Sequence, residues 1–281
     1  MNGQDHEWSR SRYWLGHFLC RRHKRHTVKW KDHNSQINPA TTSWTMLASW
    51  LAGWHQMQRI IDDSDNWLIQ DALPLLSHDP AHIQSLRLIA RENRENGEMI
   101  DRLMTYWGLR PESHTGVLAS LRCSFGRVRR PLLGSRFEMS LRLLDDLLDL
   151  TVLTIFCQAP NLCNRDPLQG VCKNLSQDKQ AHIAFAAERL TMLYADFNFA
   201  RRNLRRLRLR LMWSAALLYA TMQHHKLLRN CGMSRFGFII SGYRRFSCLL
   251  ERMVPYHRDT LLAALLNQRQ SPYAEPQPPA P

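Results

Sequence analysis

Glycine and proline are scarce in the body of this 281-residue sequence. It holds 12 glycines, and its 13 prolines are sparse through the long middle segment and crowded at the tail. No segment alternates apolar and polar residues as a half-buried strand does, whereas several long segments repeat apolar residues with a helical period. With 44% hydrophobic residues the chain is long enough to bury a large core. The composition therefore predicts an all-α protein.

The sequence also lacks a membrane-spanning run, a secretory leader and a paired cysteine pattern. Its longest lipid-like run, Leu211–Met222, has twelve residues, whereas a spanning helix needs about twenty, so we interpret it as a buried helix. The N-terminal stretch is basic but contains Asp5 and Glu7 and has no clean apolar segment. The seven cysteines are an odd number without paired spacing and suit free thiols. We expect a cytoplasmic protein with no transmembrane segment.

Acidic residues are few relative to basic ones. There are 24 Asp and Glu against 38 Lys and Arg, which gives a formal net charge of +14. The electrostatic field of so large a positive charge attracts anionic partners, namely an acidic protein, an anionic membrane or nucleic acid. No RNA- or DNA-binding motif is present that would orient a nucleic acid. We expect an acidic protein or another polyanion as partner, and a basic surface without a dedicated partner is the alternative.

Apolar periodicity and turn signals divide the chain into three parts. Residues 1–40 form a basic, aromatic-rich N-terminal extension with one helix predicted at 13–25. Residues 41–267 form a helical domain, and residues 268–281 form a Pro-rich tail whose linker composition predicts disorder. Helices of the domain are predicted at 42–76, 79–107, 136–156, 176–199, 201–229, 236–253 and 257–266, with a basic loop at 122–135.

Two of these helices carry polar residues three positions apart within an otherwise apolar stripe. On the second helix the stripe places Asn93 and Asn96 inward. Glu92 lies about 100° away from Asn93 and Glu95 nearly opposite, so we expect both glutamates to face water or the wall of the bundle. The alternative is another register of this helix, in which Glu92 and Glu95, also three positions apart, point toward the site. The fourth helix carries Lys179 and His182 at the same spacing. Side chains at positions i and i+3 of a helix point to one place, so each helix predicts a polar site.

This pattern resembles the ferritin-like superfamily, and within it the di-iron carboxylate oxygenases. The resemblance covers about residues 55–250 and implies a four-helix bundle with additional C-terminal helices. In that family two helices give one Glu each and two give Glu-x-x-His. The single carboxylates would come here from Asp62 or Asp63 and from Asp145, Asp146 or Asp149. The resemblance thereby implies six ligand positions: Asp62, Asn93, Asn96, Asp146, Lys179 and His182.

Departures from the family pattern predict a vacated or incomplete metal site. Asn is a neutral ligand, and Lys179 would stand in for the metal charge, because a buried carboxylate needs a cationic partner. We therefore expect a divergent protein without cofactor that binds an acidic partner or a small molecule. The alternative is an active non-haem di-iron oxygenase with unusual ligands, with iron as cofactor and a substrate tethered to a carrier protein. A plainer interpretation makes Lys179 a helix-edge residue and His182 a core histidine.

The start of the fifth helix is rich in arginine. Leu204, Leu207 and Leu211 share one face of it, so the segment predicts an amphipathic cationic surface for a partner, with an ordinary solvated face as the alternative. Its six arginines are Arg201, Arg202, Arg205, Arg206, Arg208 and Arg210. A weaker candidate is a zinc site at Cys20, His23 and His26, which the surrounding cations oppose. We interpret Cys157, Cys163 and Cys172 as ordinary thiols. We expect His224 and His225 to cap the end of their helix.

Overall fold

Every regular element in the part of the chain that the structure describes is a helix, and no strand occurs there. The structure, a computed structural model, describes residues 3–23, 28, 51, 61–74, 79–108, 117–158, 168–195, 197–223 and 225–254. The all-α prediction is confirmed for these residues, and none of their helices is long and apolar enough to cross a membrane. The helices are α1 (Gly3–His23), α2 (61–74), α3 (Pro80–Tyr106), α4 (Val117–Gln158), α5 (Leu168–Tyr194), α6 (Phe199–Gln223), α7 (His225–Asn230) and α8 (Arg235–Met253).

Local sequence signals determine both ends of α3. The Asp79 carboxylate accepts a hydrogen bond from the His82 backbone N–H at 3.1 Å, and Pro80 occupies the first turn, where its missing N–H costs nothing. At the other end Gly108 adopts φ 67°, a left-handed conformation that ends the helix. The helix predicted at 79–107 is therefore confirmed, one residue shorter at each end.

Helix α4 runs through the basic stretch for which the sequence predicts a loop. Residues 117–133 are helical, and the break falls on Gly134 alone, with φ 75° and ψ 173°. Glycine adopts this backbone conformation without the steric cost of a Cβ atom, so one residue is enough to change the direction of the chain. The predicted loop at 122–135 is therefore wrong. Helix α5 begins at Leu168, eight residues before the predicted start.

Helices α3, α4 and α5 build the centre of the main core. Leu103, Leu143, Leu153 and Leu190 are fully buried there. Most of the helix predicted at 42–76, the helix predicted at 257–266 and the Pro-rich tail lie outside the described residues.

Helix α1 packs on the bundle through a second apolar cluster. Its Trp14 and Phe18 rings lie 5.7 Å and 5.8 Å from the Phe185 ring of α5, and the cluster includes Ile89 of α3. The helix begins at Gly3, ten residues before the predicted start at Tyr13. The segment predicted as an extension therefore contributes apolar side chains to the protein interior.

Helices α6 and α8 lie antiparallel on the outside of the core. The Trp213 ring stacks on Phe246 at 5.4 Å, and Gly242 lets α8 approach Trp213 and Leu217. Only one face of the Leu211–Met222 run is buried. The other face is exposed, so its interpretation as a buried helix is wrong for half of its surface.

Candidate functional site

A buried lysine joins α5 to α4 at the centre of the bundle. Lys179 Nζ donates a hydrogen bond to Asp146 Oδ1 at 2.5 Å and lies 3.1 Å from Asp149 Oδ2. Burial by itself would lower the pKa of Lys179, but Asp146 and Asp149 raise it. Burial would raise the pKa of Asp146, but Lys179 and Arg142 lower it. The two residues therefore form a charged pair that the protein interior holds in place.

Arg142 of α4 extends this network to α2 and α3. Its Nε atom lies 3.3 Å from Asp65 Oδ1, and its Nη1 atom lies 3.8 Å from Asp146 Oδ1. Asp65 Oδ2 also accepts a hydrogen bond from Asn93 Nδ2 at 2.7 Å. Burial opposes the charged form of Arg142, yet the nearby aspartates, with Asp65 first, raise its pKa. Four helices thus meet at one set of ion pairs and amide contacts, which we call the central network: Asp65, Asn93, Arg142, Asp146, Asp149 and Lys179.

A second charged group lies one turn further along α5. His182 Nε2 and Glu92 Oε2 are 2.8 Å apart, and both side chains are buried. Arg21 from α1 forms an ion pair with Glu92 and lies 3.5 Å from Asp178 Oδ1. Burial would raise the pKa of Glu92, but the hydrogen bond and charge of His182, together with Arg21, lower it to about 2. Helix α1 therefore supplies the cation that stabilises this buried carboxylate.

Five of the six predicted ligand positions are buried. Asn93, Asp146, Lys179 and His182 take part in the contacts described above, and Asn96 is buried one turn along α3 from Asn93. The sixth position, Asp62, is half-buried, and the α2 carboxylate of the central network is Asp65 instead.

The sequence does not predict a role for Asp65, Arg142, Arg21 or Asp178 in these two groups, and it places Glu92 wrongly. Asp65 lies in step with Ile61, Leu68 and Ala72 on the apolar side of α2, a signal that favours it over Asp62. Glu92 was expected to face water or the bundle wall, but it is only 2% exposed. The expectation that Glu92 faces solvent is wrong because α1 covers this side of α3 and brings Arg21 to it. The sequence of α3 alone does not show that α1 packs there.

The donor set fits a pair of metal ions poorly. Among the described residues, no three His, Cys, Asp or Glu side chains are grouped so that they could hold a metal ion. Asp65, Asp146 and Glu92 each contact a cationic side chain. Two ferrous ions require an anionic, oxygen-rich set of ligands, and Lys179 and Arg142 would repel them. Ion pairs thus lie where the resemblance implies metal ligands.

The weaker sequence candidates are ordinary residues where the structure describes them, in agreement with the predicted thiols and the predicted helix-capping role. Cys20 is exposed, and the zinc alternative depends on His26, which lies outside the described residues. Cys172 is buried and forms no disulfide, and Cys163 lies outside the described residues. His225 Nδ1 lies 3.1 Å from the Met222 carbonyl oxygen near the end of α6. These residues therefore do not define a site.

Half of the arginines at the start of α6 face the protein rather than solvent. Arg206 is buried and forms an ion pair with Glu251 of α8. Arg202 is buried and donates to the Ala195 carbonyl oxygen at 2.8 Å. The prediction of a docking surface made of all six arginines is therefore wrong, because α6 packs this side against α5 and α8.

Arg205 is half-buried and links three helices through hydrogen bonds. It donates to the Tyr194 hydroxyl at 2.9 Å and to Ser140 Oγ at 2.6 Å, which connects α6 to α5 and α4. Arg201, Arg208 and Arg210 are exposed. Only these three can contact a partner without disturbing the packing of α6.

Comparison of the chain with protein families, curated proteins and solved structures finds no match.

Proposed function

We propose that this protein is a divergent ferritin-like protein, derived from di-iron oxygenases, that acts by binding an anionic partner. In this proposal the central network takes the place of the metal site. The observation that carries it is the position of the Lys179 ammonium group, which lies between Asp146 and Asp149 where the resemblance implies a metal ligand.

Charge compensation supports the loss of metal. A buried carboxylate needs a metal ion, a cationic side chain or a proton close to it. Asp146 has Lys179 and Arg142, and Asp65 has Arg142. Binding of two ferrous ions would have to displace or neutralise the side chains of Lys179 and Arg142. The amide of Asn93 is neutral, so it would not balance the charge of the ions.

The distribution of charge along the chain supports the binding role. Residues 199–254 contain twelve Lys and Arg but a single acidic residue, Glu251. Eleven of the fourteen net positive charges therefore belong to the segment of α6, α7 and α8. Such a concentration of charge raises the local density of anionic partners and speeds their association.

One contact favours the alternative of an active di-iron oxygenase. Glu92 and His182 are buried side by side, and carboxylate and imidazole are the groups that bind non-haem iron. Arg21 already forms an ion pair with Glu92, however, so a metal at this position would compete with a guanidinium group. We therefore propose the metal-free protein as the main function and the oxygenase as the competing one.

Iron content separates the two functions. Protein purified from iron-supplemented cells should contain far less than one iron per chain, and about two irons per chain, as the family pattern requires, would contradict the proposal. The triple variant Asn93→Glu, Asn96→His and Lys179→Glu restores the family pattern. It should melt at a lower temperature than the parent without metal, because its carboxylates repel, and ferrous iron should recover part of the loss.

Lys173→Glu is the control for the Lys179→Glu component of this variant, because it makes that same change of charge at an exposed position of α5. The melting temperature of this control should not change when ferrous iron is added. The binding role is tested separately with soluble polyglutamate, whose affinity for the parent protein should fall steeply with salt. An affinity that does not depend on salt, or no binding, would contradict the binding role.

A further inference from the structure

Helix α6 presents an apolar stripe to solvent along most of its length. The five residues of this apolar stripe are each 49–68% exposed: Leu204, Leu207, Leu211, Leu218 and Met222. Their spacing places them on one face of the helix. The stripe spans about 27 Å from Leu204 to Met222 at 1.5 Å per residue. Large contiguous apolar surfaces of this kind mark interaction sites on proteins.

Helix α8 extends this apolar surface. Ser214 of α6 and Tyr243 of α8 contact each other through their hydroxyl groups along the seam between the two helices. By helical register, the apolar stripe lies on the solvent side of Ser214, and Phe236 and Ile240 lie on the solvent side of Tyr243. Phe236 is the most exposed of the large apolar residues that the structure describes, at 72%. We call this combined surface the outer face of α6 and α8.

The outer face is bordered by cations and is poor in anions. Six exposed arginines belong to these two helices: Arg201, Arg208, Arg210, Arg235, Arg244 and Arg252. The one acidic residue of α6, α7 and α8 is Glu251, and Arg206 pairs with it. Exposed guanidinium groups therefore stand beside exposed leucines with little negative charge near them.

We propose that the outer face docks on the surface of a membrane that contains anionic lipid. This inference rests on the proposed binding function and names its partner. The side chains of the apolar stripe would enter the headgroup region, and the arginines would contact lipid phosphates. An amphipathic helix binds an interface in this way when its apolar residues and its cations reach the membrane together.

Charge argues against the other occupants. A second copy would bring two strongly cationic faces together. The chain's own residues outside the described ranges hold nine Lys and Arg against six Asp and Glu, so they cannot supply the missing negative charge. Nucleic acid would complement the arginines but would leave the apolar stripe in water. A membrane surface with anionic lipid can bury the apolar stripe and pair its phosphates with the arginines.

Shape favours lipid over an acidic helix of another protein. A partner helix seats its apolar side chains in a groove. The apolar groove on this side of the described residues is lined by α8 alone, with Ile240 and Tyr243 among its residues, so a helix seated there would leave the apolar stripe of α6 in water. The most exposed members of the apolar stripe, Leu211 and Met222, project from the ridge of a single helix. A fluid interface accepts such a ridge without a matching groove, to a depth of about 5–10 Å.

Vesicle co-sedimentation of the full chain tests the inference. The parent protein should sediment with vesicles of phosphatidylcholine and phosphatidylglycerol at low salt, and much less with phosphatidylcholine alone. The double variant Leu211→Gln and Leu218→Gln should bind at least about tenfold more weakly, because it removes two inserted side chains. Arg208→Gln should bind about fivefold more weakly, since one cation near the surface contributes about 1 kcal/mol.

Matched controls make the same chemical changes elsewhere on the protein. Leu133→Gln replaces an exposed leucine of α4, and Arg94→Gln replaces an exposed arginine of α3. Both should bind vesicles as the parent does. Circular dichroism of every variant checks that the helices are retained.

Three results would overturn the inference. They are no sedimentation with anionic vesicles at low salt, equal sedimentation with phosphatidylcholine alone, and unchanged binding of the Leu211→Gln, Leu218→Gln variant. Soluble polyglutamate separates this inference from the proposed function. Salt-dependent binding to polyglutamate without vesicle binding would refute the lipid partner alone, whereas binding to neither would refute both.

A designed helix of leucine and glutamate provides the last arm of the experiment. If that helix binds the parent protein, loses affinity for the Leu211→Gln, Leu218→Gln variant, and vesicles do not bind, the outer face is a site for an acidic helix. That result would also refute the lipid partner.

Discussion

Replacing Lys179 with methionine should destabilise the protein strongly. The side chain is 3% exposed, and its ammonium group lies 2.5 Å from Asp146 and 3.1 Å from Asp149. Methionine has a similar length but no charge, so the change removes the cation with little change of packing volume. Removal of one partner of a buried ion pair typically costs about 3–5 kcal/mol, because the other charge remains buried.

The structure places the expected cost near the lower end of that range. After the change, Asp146 keeps Arg142, whose Nη1 atom lies 3.8 Å away. Asp149 is 26% exposed, so water can solvate it in part. We therefore expect about 3 kcal/mol, which corresponds to a fall in Tm of roughly 6–12 °C for a domain of this size.

Urea denaturation of a double-mutant cycle measures this interaction. The variant Lys179→Met with Asp146→Leu replaces the pair by apolar side chains and should be more stable than the sum of the single changes predicts, by at least about 1 kcal/mol. Lys173→Met on the exposed side of α5 is the control and should stay within about 0.5 kcal/mol of the parent. A cost of under about 0.5 kcal/mol for Lys179→Met, or strict additivity, would refute the central network as a stabilising pair.

Acid should destabilise the protein through His82. Burial, together with Arg189, lowers the pKa of His82 from 6.5 to about 3. The unfolded chain therefore takes up this proton first, and the free energy of unfolding should fall as the pH drops from about 6.5 to about 3. His82→Leu should flatten Tm against pH in this window, and an unchanged profile would argue against a buried neutral imidazole. Arg206→Ala should lower Tm by several degrees because it removes a buried side chain that donates to the Val254 carbonyl oxygen and joins α6 to α8, whereas Arg208→Ala should leave Tm unchanged. Equal effects of the two arginine changes in thermal melts would contradict their different burial.

Local patterns in the sequence determined the helical class and several helix ends. The signals at Asp79, Pro80 and Gly108 act within one helical turn, so they can be read without knowledge of the rest of the chain. The inward positions of Asn93 and Lys179 follow from the apolar stripes of their own helices, and both side chains are buried. Periodicity thus indicates which face of a helix turns inward when the core lies on one side of it.

Only the tertiary structure decided which charges meet. Glu92 is buried because α1, about seventy residues earlier in the chain, covers it and brings Arg21. Arg206 is buried because Glu251 of α8 lies opposite, while Arg208, two residues further on, stays in solvent. Helical periodicity gives the direction of a side chain but not the identity of its neighbour. Ion pairs between distant segments depend on which helices pack together, and that depends on the summed burial of the whole core.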